Sequence, residues 1–371
     1  MGPGARHLYV HLPFCASRCG YCDFVTVVGH GDLHGAYVDA VLAELELERD
    51  LLAPELDSLY LGGGTPTLTA PAELERLLAA LPPAREVTVE ANPETVTRSL
   101  AALLSRNRVD RVSIGAQTFN TALLDVLDRH ARAEDVRRAM HRLSDAGIDN
   151  RSLDLIYGIP GQAPADLERD LDEAFALEPE HLSAYELEAK PGTRFTHAHG
   201  AELLRQADEL ESYIELVVGR LTAAGYRWYE TANFCRRPEL ARGRDLRARH
   251  NLGYWLGHDY LGLGVGAVST IENRRWRNAP SLHGYLAALG RGERPRRDVE
   301  TLSGSVRATE RLMLGLRLDE PLPLAGLAGV VDESELDRLA EGGLAFREGG
   351  SLTLTPRGRL LGSGVTARLL A

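Results

Sequence analysis

The chain has 371 residues, 44% of them hydrophobic and 26% charged, with a formal net charge of −11. That is the composition of a globular protein with a large core, long enough for two domains or for one with an appendage. The acidic balance offers no footprint for nucleic acid, and no apolar run approaches the roughly 18 residues a membrane span requires.

Residues 1–6 lack the apolar core of a secretory signal. Of four cysteines, three fall within eight positions, which argues against a disulfide framework and for a reducing, cytoplasmic setting. Peripheral contact with a membrane is left open, and nothing in the sequence fixes an oligomeric state.

In chain order, a short strand over 8–11 delivers the cysteine loop. The apolar spacing of Leu33, Tyr37, Val38, Val41, Leu42 and Leu45 then predicts a helix over 32–53. Strand and helix alternate from there: strands over 58–61, 86–90, 111–114, 152–156 and 181–185, and helices over 71–81, 97–105, 122–127, 133–145 and 166–177. Such alternation predicts a parallel sheet with right-handed crossovers. Six β/α units are two short of a closed eight-fold barrel, so the expected fold class is α/β, an open partial (β/α)6 barrel.

A long helix over 202–224 follows, then an aromatic strand-like run over 226–234, an arginine-rich loop over 236–249 and a glycine-dense apolar run over 260–269. From about 302 the pattern is helix, helix, helix and a small hairpin over 344–346 and 352–354, which predicts a winged-helix-like α+β domain with too little positive charge to insist on DNA. Expected segments are 1–225, 226–300 and 301–371.

Cys15, Cys19 and Cys22, spaced C-x3-C-x2-C, form a soft thiolate clamp suited to an iron–sulfur cluster. Three ligands to a four-iron cubane leave one iron open. Zinc is the competing reading, although it usually takes four closed ligands, and Cys235 is remote while His11 would have to reach in from the strand. Gly62-Gly63-Gly64-Thr65-Pro66-Thr67 lies at the carboxyl end of a strand, where parallel sheets bind ligands and where glycine lets a backbone approach closely. Glu90, Gln117 and Asp154 stand at or near the ends of three further strands, suited to ribose hydroxyls or an amine; taken singly, each reads better as a satisfied core or cap residue, and it is the three on one rim that shift the balance.

These blocks resemble the radical S-adenosylmethionine (SAM) superfamily, and within it the branch of oxygen-independent coproporphyrinogen III dehydrogenase and the HemW-type haem chaperones. The resemblance spans Tyr9 to Cys15, Gly62 to Thr67, Glu90-Ala91-Asn92-Pro93, Ser113 to Phe119 and Asp154 to Gly161. It implies that Cys15, Cys19 and Cys22 ligate a [4Fe–4S] cluster whose fourth iron SAM completes. It implies further that Gly63, Gly64 and Thr65 line the methionyl part of SAM, and that Tyr9, Glu90, Gln117, Arg129 and Asp154 contact it. The dehydrogenase has a fourth cysteine where this chain has Phe24, and a long arm before the cysteines; both departures are features of the chaperone subgroup. His250-Asn251-Leu252-Gly253-Tyr254-Trp255 matches the H-N-x-x-Y-W signature tied to haem in that subgroup, which implies His250 as haem ligand, with Arg247 or Arg249 near a propionate. From residue types alone, a histidine and aromatic pair packing the core is the stronger reading. The resemblance thus implies a haem chaperone serving an unidentified acceptor protein; the alternative is the dehydrogenase itself.

Overall fold

A computed structural model describes residues 4–190 and 194–370; the outer ends of the first and last expected segments, residues 1–3 and 371, lie outside it. Strands β1 (His7–Leu12), β2 (Ser58–Gly63), β3 (Val87–Ala91), β4 (Arg111–Gln117), β5 (Asn150–Tyr157) and β6 (His181–Glu186) lie side by side in sequence order, all parallel. Leu8, Val10, Leu61, Val89, Val112, Ile114, Leu153 and Leu182 are all fully buried, as parallel strands covered on both faces require.

Helices α1 (His34–Glu48), α2 (Pro71–Ala80), α3 (Arg98–Arg106), α4 (Thr121–Val126), α5 (Ala133–Asp145) and α6 (Pro164–Ala176) make the crossovers. Each turns one stripe inward; α5 buries Val136, Ala139, Met140 and Leu143, the i, i+3, i+4, i+7 set. Thr97 and Asn120 cap α3 and α4 by accepting from the N–H of Leu100 and Ala122.

The long helix expected over 202–224 is two, α7 (Arg194–Gln206) and α8 (Leu210–Ala223), with a 3-10 turn, Ala207–Glu209, between them. The β5–α6 loop pins both sides of the break. The buried Gln206 amide donates to the carbonyls of Ile159 and Gln162, each at 3.1 Å, and the Tyr213 hydroxyl donates to Gln162 at 2.6 Å.

Residues beyond 225 extend the same sheet at both ends. They form β7 (Tyr226–Glu230), β8 (Asn233–Arg236), α9 (Arg249–Trp255), β9 (Tyr260–Leu263), β10 (Val268–Ile271), β11 (Arg274–Asn278), α10 (Leu282–Leu289) and β12 (Arg297–Thr301). The resulting twelve-stranded order is β12-β11-β10-β9-β1-β2-β3-β4-β5-β6-β8-β7, with β9 parallel to β1 and the outer strands antiparallel. Helix α9 packs against β2, near the start of the barrel strands: its His250 bonds to Ser58, the first residue of β2.

The C-terminal module comprises α11 (Gly304–Gly315), β13 (Leu322–Pro323), α12 (Glu333–Glu341), β14 (Ala345–Glu348), β15 (Ser351–Leu354), α13 (Pro356–Leu360) and α14 (Gly362–Leu369), around its own core of Leu312, Leu336, Leu352 and Leu369. Two helices precede the hairpin and two follow it, where three were expected before it. Arg227 on β7 holds Asp319 through two hydrogen bonds, 2.7 and 2.8 Å, and Arg317 donates to the buried Glu230 at 2.7 Å, which ties the module to the sheet edge.

Candidate functional site

The carboxyl ends of β2 to β6 and the cysteine loop enclose a cavity of about 560 Å3. Cys15, Cys19 and Cys22 are free thiols, half-buried, and all three line it. The Thr65 hydroxyl lies 3.7 Å from Cys15 Sγ and Arg129 Nη1 lies 3.7 Å from Cys19 Sγ, so both sulfurs face a donor. Among the described residues, no three His, Cys, Asp or Glu side chains converge tightly enough for a single metal ion. Cys235 is buried in β8, where burial pushes its thiol up to about 12. The cavity lining holds three thiols and neither a fourth cysteine nor a histidine, a donor set that fits an iron–sulfur cluster better than a closed four-ligand zinc site.

The glycine run does more than the sequence suggested. A Cβ on Gly64 would lie 2.6 Å from the Pro13 backbone, and Gly63, at φ +111°, sits against the His11 ring. Gly64 and Thr65 N–H donate to the carbonyls of Leu12 and Phe14, both at 2.8 Å, which locks the run onto the cysteine loop. Gly63 N–H donates to Glu90 Oε2 at 3.1 Å. The close approach is thus first to the chain itself.

Glu90 also accepts from the Tyr60 hydroxyl at 2.7 Å. Burial outweighs these two donors and pushes its carboxyl up to about 7. Asp154 accepts from the Ser113 hydroxyl at 3.0 and 3.1 Å and is likewise raised by burial. Gln117 ends β4 with a left-handed φ of +64°, beside a register shift that turns the strand end into the cavity. Arg129 Nη2 donates to Asn92 Oδ1 at 3.0 Å and Gly115 O at 2.7 Å, while its buried Nε has no partner.

The structure brings together Cys15, Cys19, Cys22, Gly63, Gly64, Thr65, Glu90, Gln117, Arg129 and Asp154. Tyr9 stands apart. Its hydroxyl is 3.0 Å from His11 Nδ1, and it lines a smaller neighbouring cavity of about 190 Å3 that shares Asp23 and Phe24 with the first. Asn92, which bridges Arg129 to the Thr65 hydroxyl at 3.1 Å, and Tyr60 were not singled out in the sequence. Asn92 lay inside a quoted block, whereas Tyr60 carried no signal beyond its place in an apolar strand.

His250, which the resemblance implies as haem ligand, sits within a hydrogen-bonded part of the core. His250 is 1% exposed, with Nδ1 2.8 Å from the Ser58 hydroxyl and Nε2 2.9 Å from the Tyr254 hydroxyl, so both ring nitrogens are engaged. Arg247 is also spent, on Asp245 and Glu320. Helix α9 instead separates two spaces: Asn251 lines the thiol cavity, and Tyr254 and Trp255 line a cleft of about 650 Å3.

An open parallel barrel with three thiols at its carboxyl rim defines a protein of radical SAM architecture. The radical SAM superfamily model matches residues 9–174 and the HemN C-terminal domain model residues 302–361. Heme chaperone HemW of Mycobacterium tuberculosis is 37% identical over 98% of this chain and 94% of its own length. The proteins of that name from Bacillus subtilis and Escherichia coli are each 32% identical, covering 98% of this chain and 99% and 98% of theirs. The solved coproporphyrinogen III oxidase (HemN) of Escherichia coli, a radical SAM enzyme, superposes with a TM-score of 0.79 at 22% identity over 99% of this chain and 90% of its own, a likeness of fold. The chain belongs to the HemW family.

Proposed function

We propose that this protein is a haem chaperone: it binds haem and passes it to an acceptor protein, and it carries a [4Fe–4S] cluster that SAM completes. The observation that carries the reading is near-full-length similarity to proteins named heme chaperone HemW, at 32–37% identity. Residues 1–225 hold the cluster and SAM site, 226–300 the barrel extension, and 301–371 the module that closes the outer cleft.

In this reading Cys15, Cys19 and Cys22 hold the cluster. The cluster, when bound, supplies an open iron for the amino and carboxylate groups of SAM and an electron source beside its sulfonium. The chain's own contribution is placement. The amides of Gly63, Gly64 and Thr65 are spent on Glu90 and the cysteine loop, so the run offers a ligand carbonyl oxygen, an acceptor for an ammonium. Glu90 and Asp154 keep lone pairs for hydroxyls, and Gln117 adds an amide on the same rim. Arg129 places positive charge beside Cys19 and a carboxylate site, and its buried, unpartnered Nε is a donor awaiting an acceptor.

A haem titration of the protein with its cluster intact tests the reading. A saturable shift of the Soret band is expected; an unchanged spectrum through excess haem would remove the function proposed.

A further inference from the structure

We infer that haem seats in the cleft between α9 and α11, with its iron on Nε2 of His258; this rests on the haem reading above. The cleft's volume, about 650 Å3, is in the range of sites for small organic ligands, roughly 300–1,000 Å3. Tyr254, Trp255 and Tyr260 give it an aromatic lining, with Tyr254 edge-on to Tyr260 at 4.5 Å between ring centres, suited to packing a macrocycle.

Its charge suits two carboxylates. Arg275 is neutralised by a two-pronged contact to Glu310 at 2.7 and 2.8 Å. Arg307 has one 3.4 Å contact to Asp259, and Arg311 donates to the carbonyls of Pro323 and Ala325 at 2.8 and 2.7 Å. Arg311 thus has no carboxylate partner among the described residues, and Arg307 has only the longer ion pair to Asp259. The buried Trp255 Nε1–H, also in the wall, has no partner.

His258 is the one histidine lining the cleft, and it is exposed. Its Nδ1 lies 3.1 Å from His7 Nε2, and the contact begins a chain: His7 Nδ1 to Ser58 Oγ at 2.8 Å, Ser58 Oγ to His250 Nδ1 at 2.8 Å, and His250 Nε2 to the Tyr254 hydroxyl at 2.9 Å. One self-consistent proton arrangement puts a hydrogen on His258 Nδ1, donated to His7, and another on His250 Nε2, donated to Tyr254. In that arrangement Nε2 of His258 presents a bare lone pair to the cleft, and the tautomer is fixed from behind, as metal-binding imidazoles are. His250 is then a positioning residue, three hydrogen bonds removed from the ligating imidazole.

The test titrates haem and metal-free protoporphyrin into the full-length, cluster-loaded wild type and its His258→Ala, Arg307→Glu and His250→Ala variants. His258→Ala should lose the imidazole–haem signature in absorption and electron paramagnetic resonance, lose at least tenfold in haem affinity, and keep its affinity for metal-free porphyrin within about twofold. Arg307→Glu should weaken both ligands several-fold, and His250→Ala should retain the imidazole signature. An unaltered signature and affinity in His258→Ala overturns the assignment while leaving the chaperone reading intact. No binding by wild type would instead remove that reading.

Discussion

His250 Nε2 lies 2.9 Å from the hydroxyl of Tyr254, one helical turn on along α9, with the imidazole edge-on to the phenol at 4.8 Å between ring centres. The pair fixes Tyr254 where α9 meets both the outer cleft and the small cavity beside the thiols. Cutting His250 to alanine strands the Tyr254 and Ser58 hydroxyls beside a void. A loss of about 2–4 kcal/mol is expected, read as a fall in the urea midpoint without a change in slope.

Gly253 sits in the same signature because nothing larger fits. A Cβ there would lie 2.7 Å from the His7 ring, which is itself held between Ser58 and His258. Gly253→Ala should cost about 1–3 kcal/mol despite the better helix propensity of alanine. A Tyr254→Phe control, which removes only a hydroxyl, should be milder in the same urea titration.

The acid limb of stability should belong to these histidines. Burial lowers His7 from 6.5 to about 4 and His250 to about 3. The folded protein therefore binds fewer protons than the unfolded chain below pH 6.5. Their contribution is complete above that pH and is lost as pH falls towards 4 and then 3. His7 alone accounts for roughly 3 kcal/mol of that pH-dependent loss. A His7→Asn, His250→Gln double variant should show a flatter fall in Tm between pH 6.5 and 4 than wild type.

Glu90 runs the other way. Its carboxyl, raised to about 7, is neutral below that pH and charged above. As an acceptor for SAM hydroxyls it should bind SAM more tightly as pH rises through 7. Glu90→Gln should weaken binding about tenfold at pH 8 and abolish the pH dependence, measured by calorimetry on cluster-loaded protein.

Much of this was legible because it is local. The parallel strands β1 to β6 announce themselves by short apolar-rich runs set between amphipathic helices, and strand ends plus spacing pointed to the thiols, Glu90, Gln117 and Asp154. What was not legible is what returns from afar. β9 slots beside β1 after some two hundred and fifty residues, a choice made by register and not by composition. The strands β11 and β12 are rich in arginine and acid, paired across the sheet edge, so no alternation marks them. His250 was implied as a ligand by the resemblance alone, its residue types favouring core packing; its Ser58 partner, 192 positions away, could be seen only in three dimensions. His258, outside the signature, carried no signal.

The central claim is haem delivery in place of porphyrin oxidation, with Phe24 where the dehydrogenase has a cysteine. It is tested most directly on one anaerobically reconstituted sample, by titrating haem and assaying coproporphyrinogen III turnover with SAM in parallel. Saturable haem binding without protoporphyrinogen formation is the predicted result. Robust formation of protoporphyrinogen, with no haem bound, would contradict it.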